Sequence, residues 1–292
     1  MNRMSLLALA SLALVACSGD RTAPAATADT VAPDTTAVAQ PAADAHNTLE
    51  AAITSDARDP ANSARDRYRH PLETLRFFGV RDSDMVVEIT PGGGWYAEIL
   101  APWLRERGHY VAAVVDPAAV AEGRGRDYQT RARQGLEEKF AAAPERFNRA
   151  TFVGYDPAAP AFGPAGSADA VLTFRNVHNW RSAGQAEGMF KGFFDVLKPG
   201  GVLGVVEHRA ARDVPADDRS GYVSEAQVIA LAEAAGFRLD EKSEVNANPL
   251  DTKDHPNGVW TLPPSSNHDA ADAEKYQAIG ESDRMTLRFV KP

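Results

Sequence analysis

The sequence predicts an α/β domain: a doubly wound, mostly parallel sheet of seven strands with an antiparallel last strand. Three observations predict it. From residue 84, short apolar runs alternate with stretches at helical spacing, the order of a parallel sheet with crossover helices. A glycine turn, Gly92-Gly93-Gly94, follows the first run. The last two runs are separated by a long stretch without a convincing helical pattern, so they pair antiparallel.

Ahead of the first strand, Leu72, Leu75 and Phe78 share a helical face, with Pro71 suited to a first turn and Gly79 to a stop. Strand one is Met85 to Ile89. The helix after it sets Trp95, Ile99, Leu100, Trp103 and Leu104 on one stripe, with Pro102 expected to kink it. Strand two runs from Tyr110 to Val115. A polar helix over 128–142 leads to strand three, Thr151 to Val153, and strand four is Ala170 to Phe174. Met189, Phe190, Phe193, Phe194 and Leu197 repeat at helical spacing before Gly200 and Gly201 turn the chain into strand five, Val202 to Val206. Ser224 and Gln227 form a capping-box pattern for a helix closing at Gly236. Strand six is Arg238 to Val245, and the last strand is Met285 to Val290. Residues 246–283 between them hold Trp260, Pro263, Pro264 and Tyr276 and are expected to form a substrate-side flap.

Of 292 residues, 44% are hydrophobic and 24% charged, enough apolar surface to bury a core. The net charge of −9, without a Lys/Arg cluster interleaved with aromatics, speaks against a nucleic-acid partner. The seven histidines show no His-x-His or His-Glu-x-x-His spacing, so no metal site is expected.

The N-terminus reads as a leader. Arg3 precedes an apolar run, Leu6 to Ala16, too short to span a bilayer comfortably. It closes on Leu14-Val15-Ala16-Cys17, which resembles the lipobox of bacterial lipoproteins. That resemblance implies removal of residues 1–16, lipidation of Cys17 and a membrane anchor. Ser18 stands where inner-membrane retention favours Asp, which points to the outer membrane and a periplasm-facing protein. An ordinary signal peptide with a chance cysteine is the alternative. Cys17 is the only cysteine, so Cys-ligated zinc and iron–sulfur clusters are excluded from the rest of the chain. Residues 17–45, rich in Ala, Thr, Pro and Asp, read as a disordered tether. The domain is then 46–292, with 46–80 as an N-terminal helical lid.

Strand one opens into Glu88-Ile89-Thr90-Pro91-Gly92-Gly93-Gly94-Trp95. Glycines let a backbone approach a ligand closely, and the following helix offers free N–H groups. An acid at the strand end repels a pyrophosphate but suits a ligand bearing an ammonium. Here the chain resembles class I S-adenosylmethionine-dependent methyltransferases, whose first motif reads acid-x-Gly-x-Gly-x-Gly. Glu88, Gly92 and Gly94 match, and Thr90 stands where the family usually has its first glycine. The resemblance implies a Rossmann-like methyltransferase fold, S-adenosylmethionine as cofactor, and cofactor contacts from Glu88, Thr90, Gly92, Gly94 and Trp95. Leu197-Lys198-Pro199-Gly200-Gly201 is similar to the family's turn before strand five. The runs Tyr68-Arg69-His70-Pro71 and Arg175-Asn176-Val177-His178-Asn179-Trp180 look like a group of predicted bacterial methyltransferases. Gly92 to Ala97 also satisfies the dinucleotide fingerprint G-x-G-x-x-A, which keeps a nicotinamide-dependent reductase open.

Asp116 ends strand two where an acid meets a ribose, or else it caps a helix. Asp156 matches the position that holds adenine in methyltransferases, or else it is a turn residue before Pro157. Ligands in open α/β sheets sit over the carboxyl ends of the strands. That rule selects Asn176, His178, Asn179 and Trp180 after strand four and Glu207, His208 and Arg209 after strand five. Asn176 is expected on the cofactor, Trp180 on the substrate, and His178, Glu207 and His208 in catalysis or else in loop packing and hydrogen bonding. Either histidine suits a base near neutral pH, with Glu207 as orienter or substrate ligand. Tyr68 and His70 belong to the lid or to a solvated helix face. The function expected is methyl transfer from S-adenosylmethionine to a small-molecule acceptor. An exported binding protein that uses the fold for another ligand is the alternative.

Overall fold

The computed structural model describes residues 48–292; the leader, Cys17 and the tether expected over 17–45 lie outside the described residues. Strands β1 (Met85–Ile89), β2 (His109–Val115), β3 (Thr151–Tyr155), β4 (Ala168–Phe174), β5 (Leu197–His208), β6 (Arg238–Ser243) and β7 (Arg284–Val290) form one sheet. Its order is β3-β2-β1-β4-β5-β7-β6, parallel except for β7, which runs antiparallel to both neighbours. The order reverses between β1 and β4, where a crevice opens beyond the strand ends.

Among the described residues four short helices precede β1: α1 (Leu49–Ile53), α2 (Pro60–Ser63), α3 (Asp66–Arg69) and α4 (Pro71–Phe78). Pro71 opens α4 and Gly79 closes it at φ +71°. The crossovers carry α5 (Ala97–Leu104), α6 (Arg124–Ala142), α7 (Pro144–Phe147), α8 (Val177–Ser182) and α9 (Ala186–Val196). α10 (Glu225–Ala234) starts on the reciprocal Ser224/Gln227 capping box, and α11 (Ala273–Ile279) lies in the segment before β7. Among the described residues no helix is long and apolar enough to cross a membrane.

Alternation along the strands divides the core. Val87, Ile89, Val111 and Ala113 face α8, α9 and α10, whereas Val86, Ala112 and Val114 face α4, α5 and α6. Glu88 is in phase with Val86, so the sheet itself buries that carboxylate on the α5 side.

Four local expectations differ from the structure. Trp95 precedes α5 rather than lying on its stripe, because the glycine turn runs on to Tyr96. Pro102 falls in the last turn of α5, and the Glu98 carbonyl that its missing N–H leaves free accepts from Arg146 Nη2 at 2.9 Å. Leu197 to Gly201 belongs to β5, not to a free turn: Leu197 pairs with Ala168, and Gly200 N–H donates to the Lys291 carbonyl at 2.8 Å. The stretch 246–283 does contain helical turns, but they are too short to show a period.

Candidate functional site

A cavity of about 390 Å³ opens over the carboxyl ends of β1, β4 and β5. Glu88, Thr90, Gly92 and Trp95 line it from the β1 side, Asn176 and His178 from the β4 side, and His208 from β5. The segment before β7 covers it with Val259, Trp260, Pro263 and Pro264, and the N-terminal helices contribute Asn62, Arg65 and Arg69.

Thr90 adopts φ +51°, the left-handed region for which glycine is the default, so threonine keeps the backbone course of a glycine here. Its Oγ1 lies 2.8 Å from the Tyr155 hydroxyl, a bond that fixes the side chain of a conformation costing on the order of 1 kcal/mol. Gly92 has φ +58°, and a Cβ placed on it or on Gly93 would meet nothing within 4 Å, so this backbone borders open space. Gly94 is held from the other side: a Cβ there would come 2.8 Å from Leu136 Cδ1.

Glu88 is 3% exposed, and its Oε2 accepts from the Tyr110 hydroxyl at 2.7 Å. Burial raises its pKa to about 7, against the bond from Tyr110 and the charges of Arg175 and Arg69. Trp95 donates from Nε1 to the Asn62 carbonyl at 2.8 Å, with the Arg69 guanidinium 4.7 Å from its ring centroid. Asn176 donates to the Ile89 carbonyl at 3.1 Å, tying the ends of β1 and β4 together.

Glu207 is fully buried at the end of β5. Its Oε2 accepts from the N–H of Val177 at 2.6 Å and of His178 at 3.3 Å. Its Oε1 accepts from the N–H of His208 at 2.8 Å and lies 3.0 Å from His178 Nδ1. A carboxylate surrounded by donors fixes the His178 proton on Nδ1 and leaves Nε2 as the lone-pair nitrogen on the cavity side. His208 sits differently. Burial, then the proximity of His178 and of Arg284, Arg175 and Arg69, pushes its pKa well below the usual value, and its Nδ1 meets Ser282 Oγ at 2.5 Å. His178, Glu207 and His208 place potential ligand atoms within 4.8 Å of one another, a cluster that linear spacing did not reveal. Both Glu207 oxygens are already filled by donors.

Other expected residues lie elsewhere. Asp116 accepts from the Ala118 N–H at 3.0 Å and Asp156 from the Ala158 N–H at 2.8 Å, so each caps a local turn, and neither lines the cavity. Trp180 faces inward, 6% exposed, its ring 5.5 Å from Phe193; α8 turns it into the core instead of toward substrate. Tyr68 covers Gly280, and its carbonyl accepts from Arg284 Nη1 at 3.1 Å. His70 forms the left-handed junction between α3 and α4 and does not line the cavity.

Sequence reasoning passed over Arg65, Arg175 and Arg284, all of which line the cavity. Arg175 directly precedes Asn176 and takes φ +61° at the end of β4, so the strand-end rule could have found it. Arg284 could not be found that way. It is the first residue of β7, and pairing with His208 in antiparallel register brings a strand beginning to the edge where parallel strands end.

Among solved structures the chain is similar to an S-adenosylmethionine-dependent methyltransferase from Aquifex aeolicus, with 16% identity, 80% of this chain and 94% of that one covered, and a TM-score of 0.52. It is also similar to one from Methanosarcina mazei (14% identity, 74% and 96% covered, TM-score 0.50). A third is the 4+2 cyclase SpnF (16% identity, 77% and 81% covered, TM-score 0.50). At these identities the likeness is one of fold: the chain has the α/β fold of S-adenosylmethionine-dependent methyltransferases. SpnF is described by a different reaction, so the fold alone does not fix the chemistry. No protein-family model and no curated protein matches the sequence.

Proposed function

We propose that this protein transfers a methyl group from S-adenosylmethionine to a small-molecule acceptor, with His178 as the base and Glu207 as the group that orients it. The observation that carries the reading is that one cavity is lined both by the Glu88–glycine turn and by His178, with the buried Glu207 bonded to His178 from behind. The residues fit the cofactor. Gly92 and Gly93 border open space where a backbone must let a ligand approach, and Glu88 has one oxygen free of protein donors among the described residues. Glu88, Thr90, Gly92, Trp95 and Asn176 would hold S-adenosylmethionine, which supplies an electrophilic methyl carbon on a sulfonium.

The chain's own part is to align the acceptor and take its proton. His178 Nε2 accepts that proton while Glu207 stabilises the resulting imidazolium, the division of labour of an oriented base. His208, kept neutral by burial and neighbouring cations, serves as a hydrogen-bonding wall. Calorimetry of the full chain with S-adenosylhomocysteine tests the reading: saturable binding is expected. Its absence together with binding of NAD would replace the reading with a reductase. A tightly held unrelated ligand, found by mass spectrometry, would favour a binding protein. We further propose that the chain is a lipoprotein of the bacterial group it resembles, anchored through Cys17 and facing the periplasm. Palmitate labelling of wild type and of Cys17→Ala tests this.

A further inference from the structure

The same cavity has a cationic wall, formed by Arg65, Arg69, Arg175 and Arg284. Arg65, Arg69 and Arg284 converge on one carboxylate, Glu281, with Arg65 Nε at 2.6 Å, Arg69 Nε at 3.5 Å and Arg284 Nη2 sharing the second oxygen. Burial opposes the charge on Glu281, yet Arg284, Arg69 and Arg65 overcome it and hold its pKa at about 2. The fourth guanidinium, Arg175, makes no side-chain hydrogen bond or ion pair among the described residues, although it lines the cavity.

The charges do not balance. Four guanidiniums meet two carboxylates, Glu281 and the buried Glu207, while Glu88 titrates near neutrality, and Glu207 pairs with His178 rather than with any of the four. Each guanidinium offers five N–H donors, and among the described residues Arg65 Nη2 and Arg284 Nε are buried without a partner. Burial and the charge of Arg175, aided by Arg284 and Arg65, push the pKa of Arg69 down to about 8. S-adenosylmethionine cannot make up the difference, because its sulfonium and ammonium outweigh its single carboxylate. A ligand with net positive charge deepens the imbalance.

We propose that the second ligand of this cavity, the methyl acceptor on the reading above, is an anionic small molecule whose carboxylate or phosphate seats on Arg65, Arg69, Arg175 and Arg284. Planar guanidiniums grip such groups through paired N–H bonds, and a desolvated wall strengthens each of them. The acceptor's nucleophile then lies within reach of His178, across the same cavity.

The test uses the full chain saturated with S-adenosylhomocysteine in a buffer free of oxyanions, titrated with inorganic phosphate and separately with malonate. Saturable binding of at least one is expected, and whichever binds more tightly identifies the oxyanion. Arg175→Gln should weaken it tenfold or more, and Arg175→Lys should weaken it less. Both variants should keep their affinity for S-adenosylhomocysteine within about threefold. Among the described residues Arg175 has no side-chain hydrogen bond or ion pair for either exchange to break, and unchanged melting curves confirm folding. The proposal is overturned if neither anion binds saturably, or if bound S-adenosylhomocysteine excludes the anion. It also falls if Arg175→Gln weakens the cofactor product as much as the anion, since the wall then serves the cofactor's own carboxylate. Anion binding by a chain that never binds S-adenosylhomocysteine removes the methyl-transfer reading and leaves the anion site standing.

Discussion

Glu207 Oε1 lies 3.0 Å from His178 Nδ1, and the same carboxylate accepts from three backbone N–H groups, of Val177, His178 and His208. One buried side chain therefore fixes the start of α8, the end of β5 and the tautomer of an imidazole on the cavity. A carboxamide cannot accept from all four donors, because half of it is itself a donor.

Glu207→Gln should accordingly slow turnover by roughly 10–10³-fold, and His178→Ala by 10²–10⁴-fold, the range of a lost general base. Both should bind S-adenosylhomocysteine within about threefold of wild type. The readout is S-adenosylhomocysteine formed with an acceptor that supports turnover. A His178→Ala variant that keeps its rate would remove the base from His178.

The burial of Glu88 predicts a pH dependence with a definite sign. Its folded pKa of about 7 exceeds the ordinary glutamate value, so the folded state binds the extra proton between about pH 4.5 and 7. Stability from this group is complete below that window and is lost as pH rises through 7. Glu88→Gln is neutral throughout, so it should raise the ligand-free melting temperature at pH 8 relative to wild type and change it little at pH 5. A ligand ammonium reverses the preference by favouring the ionised carboxylate. Affinity for S-adenosylhomocysteine should then fall as pH drops below 7, by up to about tenfold per pH unit, and not in Glu88→Gln. Calorimetry in two buffers of different ionisation enthalpy reads the proton released.

What the sequence made legible follows from which interactions are local. Strand and helix order could be read because apolar periodicity reports burial residue by residue, and the Ser224/Gln227 cap needs only a four-residue span. Glu88, Asn176, His178 and Glu207 were legible because parallel strands deliver their carboxyl ends to one edge. Asp116 and Asp156 show where that rule runs short: an acid after a strand is equally apt to cap the turn it begins, and here both do. Glu281 was hidden because its partners Arg65 and Arg69 lie 216 and 212 residues away, and Arg284 because it reaches the Tyr68 carbonyl, 216 residues away. No local pattern encodes a pairing over that distance.

The glycine turn separates packing from binding. Gly94→Ala places a Cβ 2.8 Å from Leu136 Cδ1 at φ +78°, so it should destabilise the fold by about 1–3 kcal/mol, seen as a lower urea midpoint. Gly93→Ala meets no protein atom within 4 Å and has no left-handed backbone. It should fold normally yet weaken S-adenosylhomocysteine, because the added methyl projects into space the ligand needs. Equal effects of the two exchanges on stability would contradict the assignment of that space to a ligand.

The segment before β7 is anchored at Asp251, a buried carboxylate that ties the cavity's cover to the sheet. Asp251 accepts from the Tyr222 hydroxyl at 2.9 and 3.0 Å, from the N–H of Asp283 at 2.8 Å and of Lys253 at 2.9 Å, and lies 2.9 Å from His255 Nε2. Removing one member of so dense a network leaves several buried donors unsatisfied, each costing about 1–3 kcal/mol in isolation. The backbone N–H groups can reach water only if the segment loosens. Asp251→Ala should therefore raise hydrogen exchange across 251–265, where Trp260 stands over His178 with ring centroids 6.0 Å apart, before it affects β1 and β4. Cofactor affinity should change less than affinity for the second ligand, because Trp260, Pro263 and Pro264 reach the cavity from the segment that Asp251 anchors, whereas Glu88 and the glycine turn are held by β1 and its loop. Exchange that rises uniformly over the sheet would mean that Asp251 supports the whole fold rather than the cover.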